Sequence, residues 1–354
     1  MKVDTRYVDD INLPRFAWYE ERWKPFDSTG EFERLSSVSL DSNGVITSRQ
    51  TLSGTGRKAI YLGYFLPIWG HCITDNLKKL WFLATPFGKG LISNGYELVC
   101  VVHKNKKLPE NFKVLLQYLD IDLDRICVID KETFFGELVV PQDSLDSIHR
   151  YNMDFKLTIE RICSQIPVWK KPIEKVYFSR SKFRSSHAGD FGEHRVEEVF
   201  RKLGYCIYHP ETMSLREQLE VLHNCKSFAS TDGSSCHNAM FCQPGTECVV
   251  ITKVPLIIPY QYSIMDMRDL QPVYIDAGRT LFKVFELWSG PFFMYANHNV
   301  IRFAKDRGLT VKYRFPFLTF AAYLINCIYQ SFRYRRILKI IPETFYYIKW
   351  NRIR

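Results

Sequence analysis

Several familiar signatures are missing from this chain of 354 residues. It has ten cysteines but no Cys-x-x-Cys pair. The cysteines lie singly, mostly in apolar segments, as buried reduced thiols of a cytosolic protein do. Cys236, Cys242 and Cys248 are evenly spaced, yet intervals of six residues are not metal-ligand spacing. No apolar run reaches the ~18–20 residues that a spanning helix needs. The opening MKVDTRYVDDINLPRF lacks the apolar core of a signal peptide. Gly-x-Gly-x-x-Gly, Walker and His-Glu-x-x-His patterns are absent, which removes support for dinucleotide enzymes, nucleotide triphosphatases and zinc peptidases. No Ser-His-Asp or Cys-His order stands out, so hydrolase chemistry is unsupported. Internal repeats and low-complexity tracts are also missing.

What is present fits a soluble globular protein. Hydrophobic residues make up 46% and charged residues 24%. The length allows two domains with real cores. The net charge of +10 points to an acidic partner: nucleic acid, an anionic membrane or a phosphate-bearing substrate. The excess is uneven. Beyond residue 313, Arg314, Arg333, Arg335, Arg336, Lys339, Lys349, Arg352 and Arg354 are opposed by Glu343 alone.

Strand and helix patterns alternate in two blocks. In the first, helical spacing over 71–84 and 111–120 mixes with strand-like ELVCVV, RICVID and GELVVP, and a long helix is expected over 153–166. WKKP (169–172) reads as a linker. In the second block KVYFSR, YCIYHP, SFAST and ECVVIT are strands. Helices lie between them, one ended by Gly204 and one opened by a Ser214–Glu217 capping box. This implies an α/β fold with largely parallel sheets: domains at 1–168 and 169–300, and a tail at 301–354.

Ligands of such sheets sit at the carboxyl ends of strands. YFSRSK ends a strand in Arg180 and Lys182, which can grip phosphate oxygens or form a solvated strand end. His71 and Asp75 share one helical face; Asp75 can charge-stabilise a basic imidazole, or the pair can only steady a first turn. In FASTDGSSCHNAMFCQPG, Gly233 permits a strained backbone, and Ser234 and Ser235 can cap the helix that follows. The free N–H groups of that helix make an anion site, near which Asn238 falls. Asp232 is an acid where an anion is expected.

These segments together resemble glycosyltransferase family 61. GHCITDNLKKLWFL is similar to the family's His-Trp-x-x-Asp-x-Leu-x-x-Leu block, with His71, Asp75, Leu77 and Leu80 in place. YFSRSKF matches its strand ending in Ser-Arg, and SLREQLEVLHNC, carrying Gln218, its Glu-Gln block. The family's Asn-Glu pair is Gly192-Glu193 here. Its Gly-x-His-Gly-Ala-x-Leu-x-Asn-x-x-Phe loop is TDGSSCHNAMF, with Gly233, Asn238 and Phe241 in register and Asp232 where the histidine belongs.

The resemblance implies a GT-B fold, two Rossmann-like domains facing a cleft. It implies inverting transfer of a hexose or pentose from a nucleotide sugar, commonly a uridine diphosphate sugar, with no bound metal. Acceptors would be glycans or lipid-linked saccharides of capsule, exopolysaccharide or lipopolysaccharide assembly in bacteria. His71 and Asp75 would form the catalytic base. Arg180, Lys182, Glu193, Gln218, Asp232, Gly233, Ser234, Ser235 and Asn238 would hold the donor.

The tail, 313–354, mixes large apolar and aromatic residues with Arg and Lys. This suits helices lying on an anionic membrane, here the inner face of the cytoplasmic membrane. A helix packed across the domains is the other reading. Nucleic acid is not expected: the basic residues sit among aliphatic runs, and no binding module appears. Two alternatives to an active transferase remain: a degenerate GT-B protein, and a non-enzymatic binding protein using its basic tail.

Overall fold

The structure is a computed structural model that describes residues 3–10, 12–13, 16, 18–19, 24–27, 30–48, 56–105, 107–183, 189–254, 258–285 and 289–341. The chain forms two compact units, Trp23–Pro167 and Met1–Arg22 with Val168–Arg354. The first residues therefore join the C-terminal unit, through strand β1 (Asp4–Tyr7).

The N-terminal unit contains, in order, β2 (Phe32–Leu40), β3 (Ile46–Ser48), β4 (Lys58–Phe65), α1 (Trp69–Ile73), α2 (Pro86–Ser93), β5 (Glu97–Val102), α3 (Glu110–Tyr118), β6 (Ile126–Val128), β7 (Thr133–Pro141) and α4 (Met153–Ser164). Its six-stranded sheet runs β3-β2-β7-β4-β5-β6. The half from β7 to β6 is parallel. The other half departs from the expected parallel sheet, because β2 pairs antiparallel with both β3 and β7. For β3 the cause is a tight turn: Asp41 Oδ1 accepts the N–H groups of Asn43 and Val45, which folds β3 back onto β2.

The helix expected over 71–84 also breaks. α1 stops at Thr74 (φ −115°, ψ −89°), and 3₁₀ turns follow at Asp75–Leu77 and Leu80–Ala84. The backbone there bonds elsewhere. Asn76 pairs with both Leu66 N and O at 3.0 and 3.1 Å, and Lys78 O accepts Ser144 N and Oγ. Apolar spacing alone does not reveal such side-chain and loop competition.

The C-terminal unit continues with β8 (Ile173–Phe178), β9 (Asp190–Phe191), α5 (Glu193–Lys202), β10 (Cys206–Tyr208), α6 (Leu215–His223), β11 (Cys225–Thr231), α7 (Ser234–His237), β12 (Glu247–Thr252), α8 (Pro259–Met267), β13 (Gln271–Asp276), β14 (Phe282–Lys283), β15 (Phe292–Phe293), α9 (His298–Asp306), α10 (Phe317–Arg333) and β16 (Lys339–Ile340). Its main sheet, β1-β13-β12-β11-β8-β10, is parallel throughout. Burial on both faces explains the apolar run Cys248–Ile251 of β12. The chain builds from β8 out to β10, then returns past β8 to β11. The switch point of the sheet therefore lies between β8 and β11, where ligands of open α/β sheets bind.

The expected capping box is formed: Ser214 Oγ accepts Glu217 N, and Glu217 Oε2 accepts Ser214 N. The tail is part of this unit. Tyr323 and Cys327 of α10 pack with Val284, Phe293 and Tyr295, and Tyr323 Oη accepts the N–H groups of Leu281 and Phe282. β16 pairs with β14. Among the described residues no helix is long and apolar enough to cross a membrane. Residues 342–354 of the tail, with Glu343, Lys349, Arg352 and Arg354, lie outside the described residues.

Candidate functional site

The carboxyl ends of β8, β11 and β12 bring one charged group together. After β8, Ser179 and Ser181 both bond Glu197 Oε2, at 2.8 and 2.7 Å, which fixes the strand end. Between them Arg180 donates its backbone N–H to Glu193 Oε1 at 2.9 Å. Its guanidinium Nε lies 3.3 Å from Asp190 Oδ2. After β11, Asp232 Oδ1 accepts the N–H of Lys253, the residue that follows β12, at 3.2 Å. The Lys253 ammonium reaches Asp190 Oδ2 at 3.7 Å and lies 4.3 Å over the Phe292 ring.

Two glycines shape this group. Gly233 has φ +113°, and a Cβ there would sit 3.8 Å from Lys253 Nζ. The positive φ is what requires glycine here, since a Cβ would make only ordinary contact with the ammonium. Gly192 caps α5 with φ +91°, and a Cβ on it would meet Met294 O at 2.0 Å. That carbonyl follows β15, which pairs with β9 beside it. An asparagine at 192 is therefore excluded by backbone, although asparagine tolerates positive φ.

Glu193 and Asp232 are buried, at 1% and 3% exposure. Glu193 Oε2 and Asp232 Oδ2 have no hydrogen-bond partner among the described residues. Burial pushes Glu193 up to about 7, helped by the neighbouring Asp190 charge and opposed by Arg180 and Lys253. Burial likewise lifts Asp232 to about 7 against the pull of Lys253. The group can therefore offer hydroxyl-binding carboxyl oxygens beside two cations.

The remaining expected donor residues divide. Ser234 is half-buried at the start of α7. The capping expectation fails: Gly233 is the N-cap residue and no side chain caps. Ser235 Oγ instead lies 3.0 Å from Ser230 Oγ, which donates to Phe178 O. α7 has four residues and runs on into a 3₁₀ turn at Asn238–Phe241, so the short helical piece expected after Gly233 is formed, half as α-helix and half as 3₁₀ turn. Asn238 is buried in that turn. Gln218 Nε2 donates to Pro210 O and Met213 O, which fixes the turn after β10. Lys182 is exposed. Lys253 and Asp190 escaped the sequence reading. The only signal for Lys253 is a lone cation inside ITKVPLII.

In the N-terminal unit, His71 Nδ1 meets Asp75 Oδ2 at 2.5 Å, with Thr74 Oγ1 3.2 Å from the same oxygen. Both side chains are partly exposed after the carboxyl end of β4. His149 is electrostatically coupled to both. It sits at φ +68° in a turn whose Asp146 carboxylate accepts the N–H groups of Ile148 and Arg150. Burial lowers the His149 pKa, against the attraction of Asp75 and Asp146. An imidazole held by a carboxylate is a proton acceptor in waiting.

Among the described residues no group of three or more His, Cys, Asp or Glu side chains is placed to hold a metal ion. The Glycosyltransferase 61 family model matches residues 69–250, a stretch that contains both the His71–Asp75 pair and the Arg180–Glu193–Asp232 group. No curated protein matches the chain.

Proposed function

The chain belongs to glycosyltransferase family 61 and is a glycosyltransferase; on that premise we propose that it is an inverting enzyme of the GT-B type, moving a hexose or pentose from a nucleotide sugar, a uridine diphosphate sugar first among them, to a glycan or lipid-linked saccharide of surface polysaccharide assembly. The observation that supports this most is the charged group at the switch point of the parallel sheet. Arg180 and its neighbours provide positive charge for a leaving diphosphate. The unpartnered oxygens of Glu193 and Asp232 are acceptors for ribose or sugar hydroxyls.

The reaction follows from these roles. His71, its imidazole charge-stabilised by Asp75, takes the proton of an acceptor hydroxyl. The acceptor oxygen attacks the anomeric carbon as the bond to the diphosphate oxygen breaks, and that bond's electron pair leaves with the diphosphate. One displacement inverts the anomeric centre. The scheme invokes no metal.

The outer face of α10 adds a membrane to this reading. Leu318, Ile325, Ile328, Tyr329 and Phe332 are exposed along one helical face, with Arg333, Arg335, Arg336 and Lys339 after it. An apolar face with a basic flank suits the headgroup layer of an anionic membrane, the inner face of the cytoplasmic membrane, where a lipid-linked acceptor resides.

The test is a turnover screen over nucleotide sugars with wild type, His71→Ala, Asp75→Ala and Arg180→Ala. Turnover of a uridine diphosphate sugar by wild type, lost in all three variants, supports the reading. Failure of wild type to bind any nucleotide sugar overturns it.

A further inference from the structure

Arg180 and Lys253 share one anionic atom. Asp190 Oδ2 lies 3.3 Å from Arg180 Nε and 3.7 Å from Lys253 Nζ. All three side chains are largely buried; Lys253 is 6% exposed. The lysine contact is longer than a hydrogen bond, so the ammonium is balanced by a loose partner and by the Phe292 ring. An ammonium kept at this depth costs free energy unless an anion sits close to it.

The surroundings hold more acid than base. Facing Arg180 and Lys253 are Asp190 from β9, Glu193 from α5 and Asp232 after β11, with the Tyr177 hydroxyl 3.2 Å from Glu193 Oε1. Glu197 of α5 is engaged by Ser179, Ser181 and Arg201. Of the three carboxylates, Asp190 alone bridges both cations. It is borne by a two-residue strand, whereas Glu193 and Asp232 are each tied to a backbone N–H.

We propose that Arg180 and Lys253 are the two-point seat for the donor's diphosphate, and that Asp190 is the internal counter-ion that a phosphate oxygen displaces. The inference rests on the nucleotide-sugar reading above and adds Lys253 and Asp190 to it. Lys253, after β12, brings its cation beside the Asp232 loop that follows β11. Its ammonium stands over Gly233, so a phosphate held by it lies against the Asp232–Gly233 backbone. Asp190 lowers the affinity of the seat and keeps both cations in place when the donor is absent.

The test is equilibrium binding of uridine diphosphate, inorganic pyrophosphate and uridine to wild type, Lys253→Met, Lys253→Arg and Asp190→Asn, with thermal melting as the folding check. Loss of a charge-assisted contact predicts about tenfold or greater weakening of uridine diphosphate and pyrophosphate in Lys253→Met. Lys253→Arg keeps most of the affinity. Asp190→Asn binds both phosphate ligands more tightly, severalfold, and leaves uridine unchanged. If wild type binds uridine diphosphate and a folded Lys253→Met binds it equally, the inference is overturned while the nucleotide-sugar reading stands. Weaker phosphate binding by a folded Asp190→Asn likewise overturns the counter-ion role. If wild type binds neither phosphate ligand, the nucleotide-sugar reading falls and takes the inference with it.

Discussion

His71 Nδ1 and Asp75 Oδ2 lie 2.5 Å apart, joined across the break between α1 and the 3₁₀ turn after it. In the proposed mechanism the other ring nitrogen, Nε2, is the proton acceptor. His71→Ala is expected to lower kcat by about 10²–10⁴-fold, the usual contribution of a general base. Asp75→Asn keeps an acceptor oxygen but removes the charge that stabilises the imidazolium. It is expected to lower kcat about tenfold or more, a hydrogen bond to a charged group being worth roughly 1.5–3 kcal/mol. On the proposed roles, the KM for the donor is expected to stay near wild type in both. Steady-state kinetics with varied donor separates the two parameters; a large rise in donor KM would place His71 in donor binding instead.

Gly192 cannot carry a side chain. Its φ of +91° and the 2.0 Å approach of a Cβ to Met294 O make Gly192→Ala strained and overpacked. A loss of about 2–4 kcal/mol in unfolding free energy is expected, from the left-handed backbone and the forced shift of β15. Denaturant unfolding checks it. The same shift moves Glu193, so nucleotide binding should weaken together with stability.

Asp232 makes the fold sensitive to pH. Burial pushes its carboxyl up to about 7 in the folded chain, against 3.8 for an unburied Asp. Between these values the folded state holds a proton that the unfolded state has lost. Its contribution therefore falls as pH rises from about 4 to 7 and is constant above. Asp232→Asn keeps an oxygen for the Lys253 N–H and removes the buried charge. The variant is expected to melt higher than wild type at pH 8, with the gap closing toward pH 4. Melting curves across that range test this, and a gap that widens toward acid would show the shift has the other sign.

Much of the C-terminal unit was legible because its elements announce themselves. Strands buried on two faces read as apolar runs, and Ser214, Glu217 and Gly204 mark helix ends by local chemistry. The pairing of His71 with Asp75 was legible from a four-residue spacing. What stayed hidden depends on the third dimension. Lys253 looks like a stray cation after a strand; its meaning appears only once β12 is seated beside β11. Asp190 belongs to a two-residue strand with no periodicity to read. The break after α1 comes from Asn76 and Ser144 bonding across loops, which no helical pattern encodes.

The tail calls for point substitutions, because cutting it away would remove Tyr323 and Cys327 from the cluster they fill and strip the Leu281 and Phe282 N–H groups of their acceptor. The outward face is separable from that packing: Leu318 is 88% and Phe332 87% exposed, one near each end of α10. Leu318→Glu with Phe332→Glu is expected to leave the melting temperature within a few degrees, since surface changes usually stay within about 0.5 kcal/mol. It should abolish co-sedimentation with anionic vesicles, because two apolar anchors become charges repelled by the same surface. Arg335→Gln with Arg336→Gln should weaken binding to anionic vesicles and leave weak binding to neutral ones unchanged, each basic residue contributing about 1 kcal/mol near a charged surface. Unchanged co-sedimentation of the double glutamate variant would show that the outer face of α10 does not meet the bilayer, and no co-sedimentation by the wild-type chain would remove the membrane from the functional reading altogether.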